Sequence, residues 1–285
     1  MAITNAVDTG IGTAFFSNVV QAGLFTLNET SIMRPLIRNY DMTGTAGLTA
    51  QLPIYPTVAV STPGDGVDLT NAAFDLTTTK TITASEKGVM VTLTDLMKES
   101  SSEDVASAIG RQIGSALAEK VDTDIAALFS GFSNTVGTGA DEISIEDLFK
   151  AAATLRTNKV PSGPLYCVLH PKQAFQIKKL LTNAGSTINH NLSDLGNEAL
   201  RNGFVGTLAG MQIFESTVIT GDSAGAFVGA AFHGDALGYM VKRQLRVENQ
   251  RDASARADEI VGSMAYGVSE IFDEYGVGII GDANL

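Results

Sequence analysis

Ser102-Glu103-Asp104-Val105-Ala106-Ser107-Ala108-Ile109-Gly110-Arg111-Gln112-Ile113-Gly114-Ser115-Ala116-Leu117-Ala118-Glu119-Lys120-Val121-Asp122-Thr123-Asp124-Ile125-Ala126-Ala127-Leu128-Phe129-Ser130 is the one stretch of this chain that reads as a long amphipathic helix. Val105, Ile109, Ile113, Leu117, Val121, Ile125 and Leu128 recur at spacings of four and three, which places them on one stripe. Ser100-Ser-Ser-Glu103 offers a capping box, Glu103 and Asp104 suit the positive helix start, and Gly131 supplies a stop. At 1.5 Å per residue the element would be about 43 Å long. Arg111, Glu119 and Lys120 fall on its polar face, and Asp122 and Asp124 are expected to splay towards solvent.

The two sides of this helix differ. Residues 1–48 mix polar residues with scattered apolar anchors (Phe15, Phe16, Val19, Val20, Leu24, Phe25), with a short helix around Thr13–Gly23 and irregular or extended chain beyond it. Residues 49–94 read as a long hairpin. Thr49–Val60 forms one limb, Pro63-Gly-Asp-Gly66 the turn, and Phe74–Thr94 a return limb dense in Thr, Val and Ile. Pro53 and Pro56 remove ladder donors, so the first limb is an edge or interrupted strand. A two-stranded hairpin of this length is marginal alone and must lie on something.

After the helix the pattern becomes strand, helix, strand. Ser144 with Asp147 caps a helix burying Ile145, Leu148, Ala152 and Leu155. Leu165–Leu169 is an apolar strand, and His170-Pro171 opens a helix burying Ala174, Ile177 and Leu181. Residues 182–202 are a polar loop. Met211–Phe214, Ala226–Phe232, Tyr239–Arg251, Ile260–Ile271 and Tyr275–Ile280 read as strands.

Composition narrows the function classes. The 19 basic and 31 acidic residues give a net charge of −12, opposite to the basic face of a nucleic-acid binder, although such a protein could enclose DNA without adhering to it. No segment approaches the ~18 uninterrupted apolar residues of a membrane span. Met1–Asp8 lacks the basic and apolar regions of an export signal, and the lone Cys167 fits a reducing cytoplasm.

Short motifs fail on their context. Gly276-Val-Gly-Ile-Ile-Gly281 spells a dinucleotide fingerprint, but the mechanism needs a following helix, so it is read as a glycine-bearing strand. Gly221-Asp-Ser-Ala-Gly225 spells a nucleophile elbow, yet a strand follows where a helix is required and no acid separates Ser223 from His233. His170, His190 and His233 show no ligand spacing, and Glu270, Asp273 and Glu274 read as a solvated turn. No catalytic, cofactor or metal residue is assigned.

The ordered set of pieces resembles the major capsid proteins of tailed bacteriophages, the HK97-like fold family. Leu165-Tyr-Cys-Val-Leu-His-Pro-Lys-Gln-Ala-Phe175, Gly206-Thr-Leu-Ala-Gly-Met-Gln-Ile-Phe214 and Ala226-Phe-Val-Gly-Ala-Ala-Phe-His-Gly-Asp-Ala-Leu-Gly-Tyr239 look like successive units of that family's axial (A) domain. The resemblance covers nearly the whole chain. It implies an α+β fold with an N-terminal arm (1–48), a long β-hairpin called the E-loop (49–94), and a peripheral (P) domain (95–160) containing a spine helix at 102–130. An inserted α/β A domain (161–238) and P-domain return strands (239–285) complete it.

What the resemblance implies about function is a non-enzymatic subunit without cofactors. Its copies would form pentamers and hexamers of an icosahedral shell around double-stranded DNA, assembled in the host cytoplasm and residing in the virion. A separate scaffolding protein, a portal and a decoration or cement protein are the implied partners. Lys80, Glu86 and Lys87, placed on the hairpin, are expected to meet Arg243, Glu248, Arg251 or Asp252 of a neighbour. An encapsulin-like bacterial compartment protein, sharing the fold but enclosing enzymes, is the alternative. A serine hydrolase using Ser223 and His233 is a third reading.

Overall fold

A computed structural model describes residues 22, 23, 26, 31–55, 58, 60–69, 79–100, 105–182, 206–221 and 225–282. Its strands in chain order are β1 (Arg38–Asp41), β2 (Thr49–Pro53), β3 (Thr79–Thr83), β4 (Ser85–Thr94), β5 (Thr135–Val136), β6 (Leu165–Leu169), β7 (Thr207–Leu208), β8 (Met211–Glu215), β9 (Ala226–His233), β10 (Leu237–Asp252), β11 (Ala257–Glu270) and β12 (Gly276–Asp282). The helices are α1 (Asp95–Ser100), α2 (Val105–Ala126), α3 (Ile145–Thr157) and α4 (Pro171–Thr182).

The alternation of β10 and β11 makes a ribbon with one apolar face. Their turn is held by the Asp252 carboxylate, which accepts the Ser254 N–H (2.9 Å), the Ser254 hydroxyl (2.7 Å) and the Ala255 N–H (3.2 Å). The 16 residues of β10 reach about 50 Å at ~3.3 Å each. β4 runs antiparallel to β11 from Ser85 opposite Tyr266 to Thr94 opposite Ala257. β1 pairs in parallel on the other side, giving the order β1-β10-β11-β4.

The spine helix α2 lies on the inner face of this ribbon. Ile109, Ile113, Leu117, Val121 and Ile125 are buried as their spacing predicts, and Arg111, Glu119 and Lys120 are exposed. Gly262 lets the helix sit close, since a Cβ there would stand 2.5 Å from Ile113 Cγ2. The helix is shorter than expected at its C-terminal end. After Ala126 the chain tightens into a 3-10 turn (Ala127–Gly131), whose three-residue turn rotates Phe129 inward and leaves Leu128 only partly buried. Phe129 meets Phe232 with ring centroids 5.7 Å apart, which joins the spine core to the second sheet. The expected cap at Ser100–Glu103 lies largely outside the described residues.

Asp122 corrects another expectation. It is 4% exposed and accepts hydrogen bonds from the Ser31 hydroxyl (2.7 Å), Ile32 N–H (2.9 Å) and Met33 N–H (3.3 Å). Burial pushes its carboxyl pKa up, with the three donors pulling the other way. The aspartate thus ties the root of the arm to the spine. Asp124 instead accepts the Tyr266 hydroxyl (2.7 Å) and Lys120 Nζ (2.6 Å).

The second sheet has the order β5-β12-β9-β6-β8-β7. Its strand residues alternate between two cores. Val168, Ala230 and Phe232 face the spine, while Cys167, Leu169, Ala231, Val277 and Ile279 face α3 and α4. α3 starts at the predicted capping box, the Asp147 N–H donating to the Ser144 hydroxyl (3.2 Å) and the Ser144 N–H to the Asp147 carboxylate (3.1 Å). α4 is pinned by two buried amides. Gln173 donates to the Phe227 carbonyl (2.8 Å) and accepts the His170 N–H (3.2 Å); Gln176 donates to the Asp282 carbonyl (2.6 Å) and accepts the Ile143 N–H (3.1 Å).

Three expected boundaries move. Among the described residues β2 pairs β3 over Thr49–Pro53 and Thr79–Thr83, and the former return limb continues as β4 into the ribbon. A long apolar strand finds more burial against β11 and α2 than in an isolated pair. Glu86 and Lys87 therefore lie on the ribbon and leave Lys80 alone on the hairpin. Residues 145–157, expected with the spine, pack on the six-stranded sheet, and 276–282, expected among the return strands, joins that sheet beside β9. Of the expected arm helix only Ala22 and Gly23 are described, both helical, and Gly23 crosses α2 at Gly110 and Gly114, where a Cβ on Gly114 would overlap the Gly23 carbonyl.

Candidate subunit-contact surface

The hairpin base is secured to the body. Ile82 and Ala84 pack with Met240, the Ala84 N–H donates to the Leu48 carbonyl (2.8 Å), and Lys80 pairs with Glu270 (3.4 Å). Beyond Pro53 the described residues form no strand. The expected turn is present, with the Val67 N–H donating to the Gly64 carbonyl (3.1 Å) and Gly66 at φ +74, where glycine is favoured. Around it Tyr55, Val58, Val60, Val67 and Leu69 are exposed, Val60 at 96%. Large apolar side chains grouped on a projecting limb mark a contact site.

The ribbon gathers most of the charges singled out from sequence, and its register sorts them. Glu86, Ala265 and Arg243 stand in one row across β4, β11 and β10. Met90, Val261 and Glu248 form another, as do Thr94, Ala257 and Asp252. These rows share the face away from the spine helix. Arg251 pairs across Asp258 with the buried Leu93, on the opposite face.

Each charge but one has a partner on its own chain. Glu86 pairs with Arg243, and Glu248 with Arg246. Arg251 grips Asp95 through two bonds (2.7 and 2.6 Å) and Asp258 at 3.3 Å, which pushes its pKa further up, the Asp95 hydrogen bonds contributing most. Asp252 caps the turn, and the Ser254 and Ala255 bonds hold its carboxyl below the ordinary range. Lys87, half-buried on β4, has no ion-pair partner among the described residues. Exposed pairs of this kind contribute only ~0–1 kcal/mol each, so their effect is to hold strand register.

The remaining candidates fall into structural places. His170 sits at the α4 start, its Nδ1 accepting the Lys172 N–H (3.2 Å); burial first, then Lys172, lowers its pKa. His233 ends β9, while His190 and Ser223 lie outside the described residues. Residues 276–282 are a strand in the six-stranded sheet. Glu270, Asp273 and Glu274 tie segments together: Asp273 accepts the Ser133 N–H (2.8 Å) and the Glu274 carbonyl accepts Asn158 Nδ2 (3.0 Å). Burial pushes the Cys167 thiol up to about 12, which keeps it unreactive. Among the described residues no group of three or more His, Cys, Asp or Glu is placed to hold a metal.

Sequence reasoning missed two features. One is Asp122, whose place in the series Ala118, Asp122, Ile125, Phe129 has helical spacing and marks it as inward. The other is a set of exposed large apolar side chains on the body: Met90 on β4, Leu96 and Met97 on α1, Phe149 on α3 and Phe175 on α4. Only the packing of the body reveals which apolar residues it leaves out.

The sequence model of the phage capsid protein family matches residues 77–279. No curated protein matches the chain. Among solved structures, the capsid of the cyanophage P-SCSP1u superposes with a TM-score of 0.72 at 20% identity, covering 89% of each chain. Mycobacterium phage Che8 gives 0.69 at 21% identity, over 87% of this chain and 90% of that one. A virus-like particle from Pyrococcus furiosus gives 0.60 at 12% identity, over 92% and 98%. The α+β architecture is the HK97-like fold, and by the match over residues 77–279 the chain belongs to the phage capsid protein family, as a major capsid protein of the virion shell.

Proposed function

We propose that copies of this chain close into an icosahedral shell of pentamers and hexamers around double-stranded DNA, with no catalytic step. The observation that carries this reading is the distal hairpin limb, whose large side chains are exposed on the subunit and need a second subunit to bury them. The limb acts as the E-loop and lies over a neighbour's spine helix and P domain. The ribbon (β4, β10, β11) with α2 serves as the P domain. The six-stranded sheet with α3 and α4 serves as the A domain near the capsomer axis. The net charge of −12 suits a wall that encloses DNA without adhering to it.

Assembly takes place in the host cytoplasm with a separate scaffolding protein, a portal, and a decoration or cement protein. The match to the phage capsid protein family favours this over an enzyme-enclosing compartment. Electron microscopy of the protein expressed with its genomic neighbours is the test. Closed DNA-competent shells, with portal and packaging genes alongside, are expected. Persistent monomers, or shells that form around a cargo enzyme, would overturn the reading.

A further inference from the structure

With β4 drawn into the ribbon, the hairpin limb acquires a uniform charge. No lysine or arginine occurs between Arg38 and Lys80, whereas Asp65 lies in the turn at Gly64–Val67 and Asp68 directly follows it. Beside these acids Val60, Val67 and Leu69 are 96%, 65% and 71% exposed. The limb is therefore an anionic tip with apolar flanks, and the surface complementary to it is apolar with an unneutralised cation.

Among the described residues the body exposes large apolar side chains on α1 and on α3 and α4, and the neighbouring cations decide between them. Beside Phe149 and Phe175 four lysines are already engaged. Lys150 pairs with Glu146 (3.1 Å), Lys178 with Glu215 (2.6 Å), Lys179 with Glu142 (3.3 Å), and Lys172 stands over the Phe227 ring (5.8 Å). Beside Leu96 and Met97, which are 76% and 54% exposed, stands Arg256. Its carbonyl accepts the Asp95 N–H (3.0 Å), which fixes it against the start of α1. Its side chain is exposed and has no carboxylate partner among the described residues.

We propose that the hairpin tip of one subunit seats on the α1 corner of a second copy, with Asp65 and Asp68 facing Arg256 and with Val67 and Leu69 covering Leu96 and Met97. This rests on the shell-subunit reading and adds the seat and its polarity: the limb supplies the carboxylates and Arg256 supplies the cation. Apolar burial supplies the affinity, and the exposed charges select register. Lys87 lies at the far end of β4, about 23 Å from Thr94 along the strand, so it falls outside the seat.

The test uses assembled particles of the full chain. Leu69→Cys combined with Leu96→Cys, bridged by a short bis-maleimide, should convert the monomer band into a ladder of covalent multimers. Leu69→Cys combined with Phe149→Cys should leave it monomeric. The native Cys167 is buried and does not compete. Asp65→Lys with Asp68→Lys, and separately Arg256→Glu, should each lower shell yield, and the three together should restore it, while Lys87→Glu leaves it unchanged. Absence of wild-type shells overturns the shell reading and the seat with it. Wild-type shells with no Leu69–Leu96 ladder, or with a Leu69–Phe149 ladder, overturn the seat alone. Loss of yield from Lys87→Glu but not from Arg256→Glu does the same.

Discussion

Val89, Val91 and Leu93 on β4 and Val58, Val60 and Val67 on the hairpin limb are the same kind of strand-forming residue, a few tens of positions apart in one chain. Leu93 is 1% exposed and packs under the spine helix with Val89 and Val91 beside it; Val60 is 96% exposed. The difference lies in their partners. β4 has β11 along its whole length and α2 above it, so each inward side chain adds to a continuous core. Among its described residues the limb has the five-residue ladder of β2 with β3 at its root. Fully burying a Val or Leu side chain contributes roughly 1.5–3 kcal/mol, and the limb leaves that contribution for a second molecule to supply. The ribbon encodes the stability of the subunit, and the limb encodes its association.

That contrast can be broken most directly by removing the limb. Deleting residues 62–78 should abolish closed shells while leaving the thermal midpoint of the subunit nearly unchanged; normal shells, or a collapsed subunit, would erase the distinction. The converse change is Ile113→Ala, which empties the fit against Gly262 and should cost about 2–5 kcal/mol in denaturant unfolding. A smaller loss, about 1–3 kcal/mol, is expected for Asp122→Ala, because it strands the Ser31 hydroxyl and the Ile32 and Met33 N–H groups. A loss under half a kcal/mol would mean that water replaces the carboxylate and that the arm root is not tied to the spine.

The smallest effect sharpens the body side by pH. Burial alone would raise the Asp147 pKa, but the Ser144 hydroxyl and N–H and the Lys150 ammonium outweigh it and hold the carboxyl below the ordinary range. A carboxyl depressed in the folded state contributes stability above its unfolded pKa and loses it as pH falls through the folded value. Ser144→Ala should therefore cost about 1 kcal/mol at neutral pH. The gap to wild type should narrow in acid, below the ordinary carboxylate range. A gap that stays constant with pH would mean that the cap does not work through Asp147.

Much of the body was legible before the fold. The cap at Ser144 and Asp147, the strand at Leu165–Leu169, the helix opening at Pro171 and the stripe from Ile109 to Ile125 all stand where their patterns put them. The candidate contact charges Glu86 and Lys87 were expected on the hairpin but lie on the ribbon, Arg251 turns to the opposite face, and the partners these charges have within the chain were not legible. Glu86 lies far from Arg243 in sequence, and only the three-strand register brings the two into one row.

The sequence by itself determined what depends on a few neighbouring residues: helical and strand periodicity, a cap three residues from its partner, and a proline at a helix start. Tertiary structure alone decided where β4 leaves the hairpin for β11, where the spine tightens to bury Phe129, that β12 crosses to the six-stranded sheet, and that Asp122 turns inward to hold the arm. Those outcomes are set by competition among distant surfaces for the same apolar burial. Val89 carries the same local pattern whether it pairs with a hairpin limb or with Gly262, and the larger core wins.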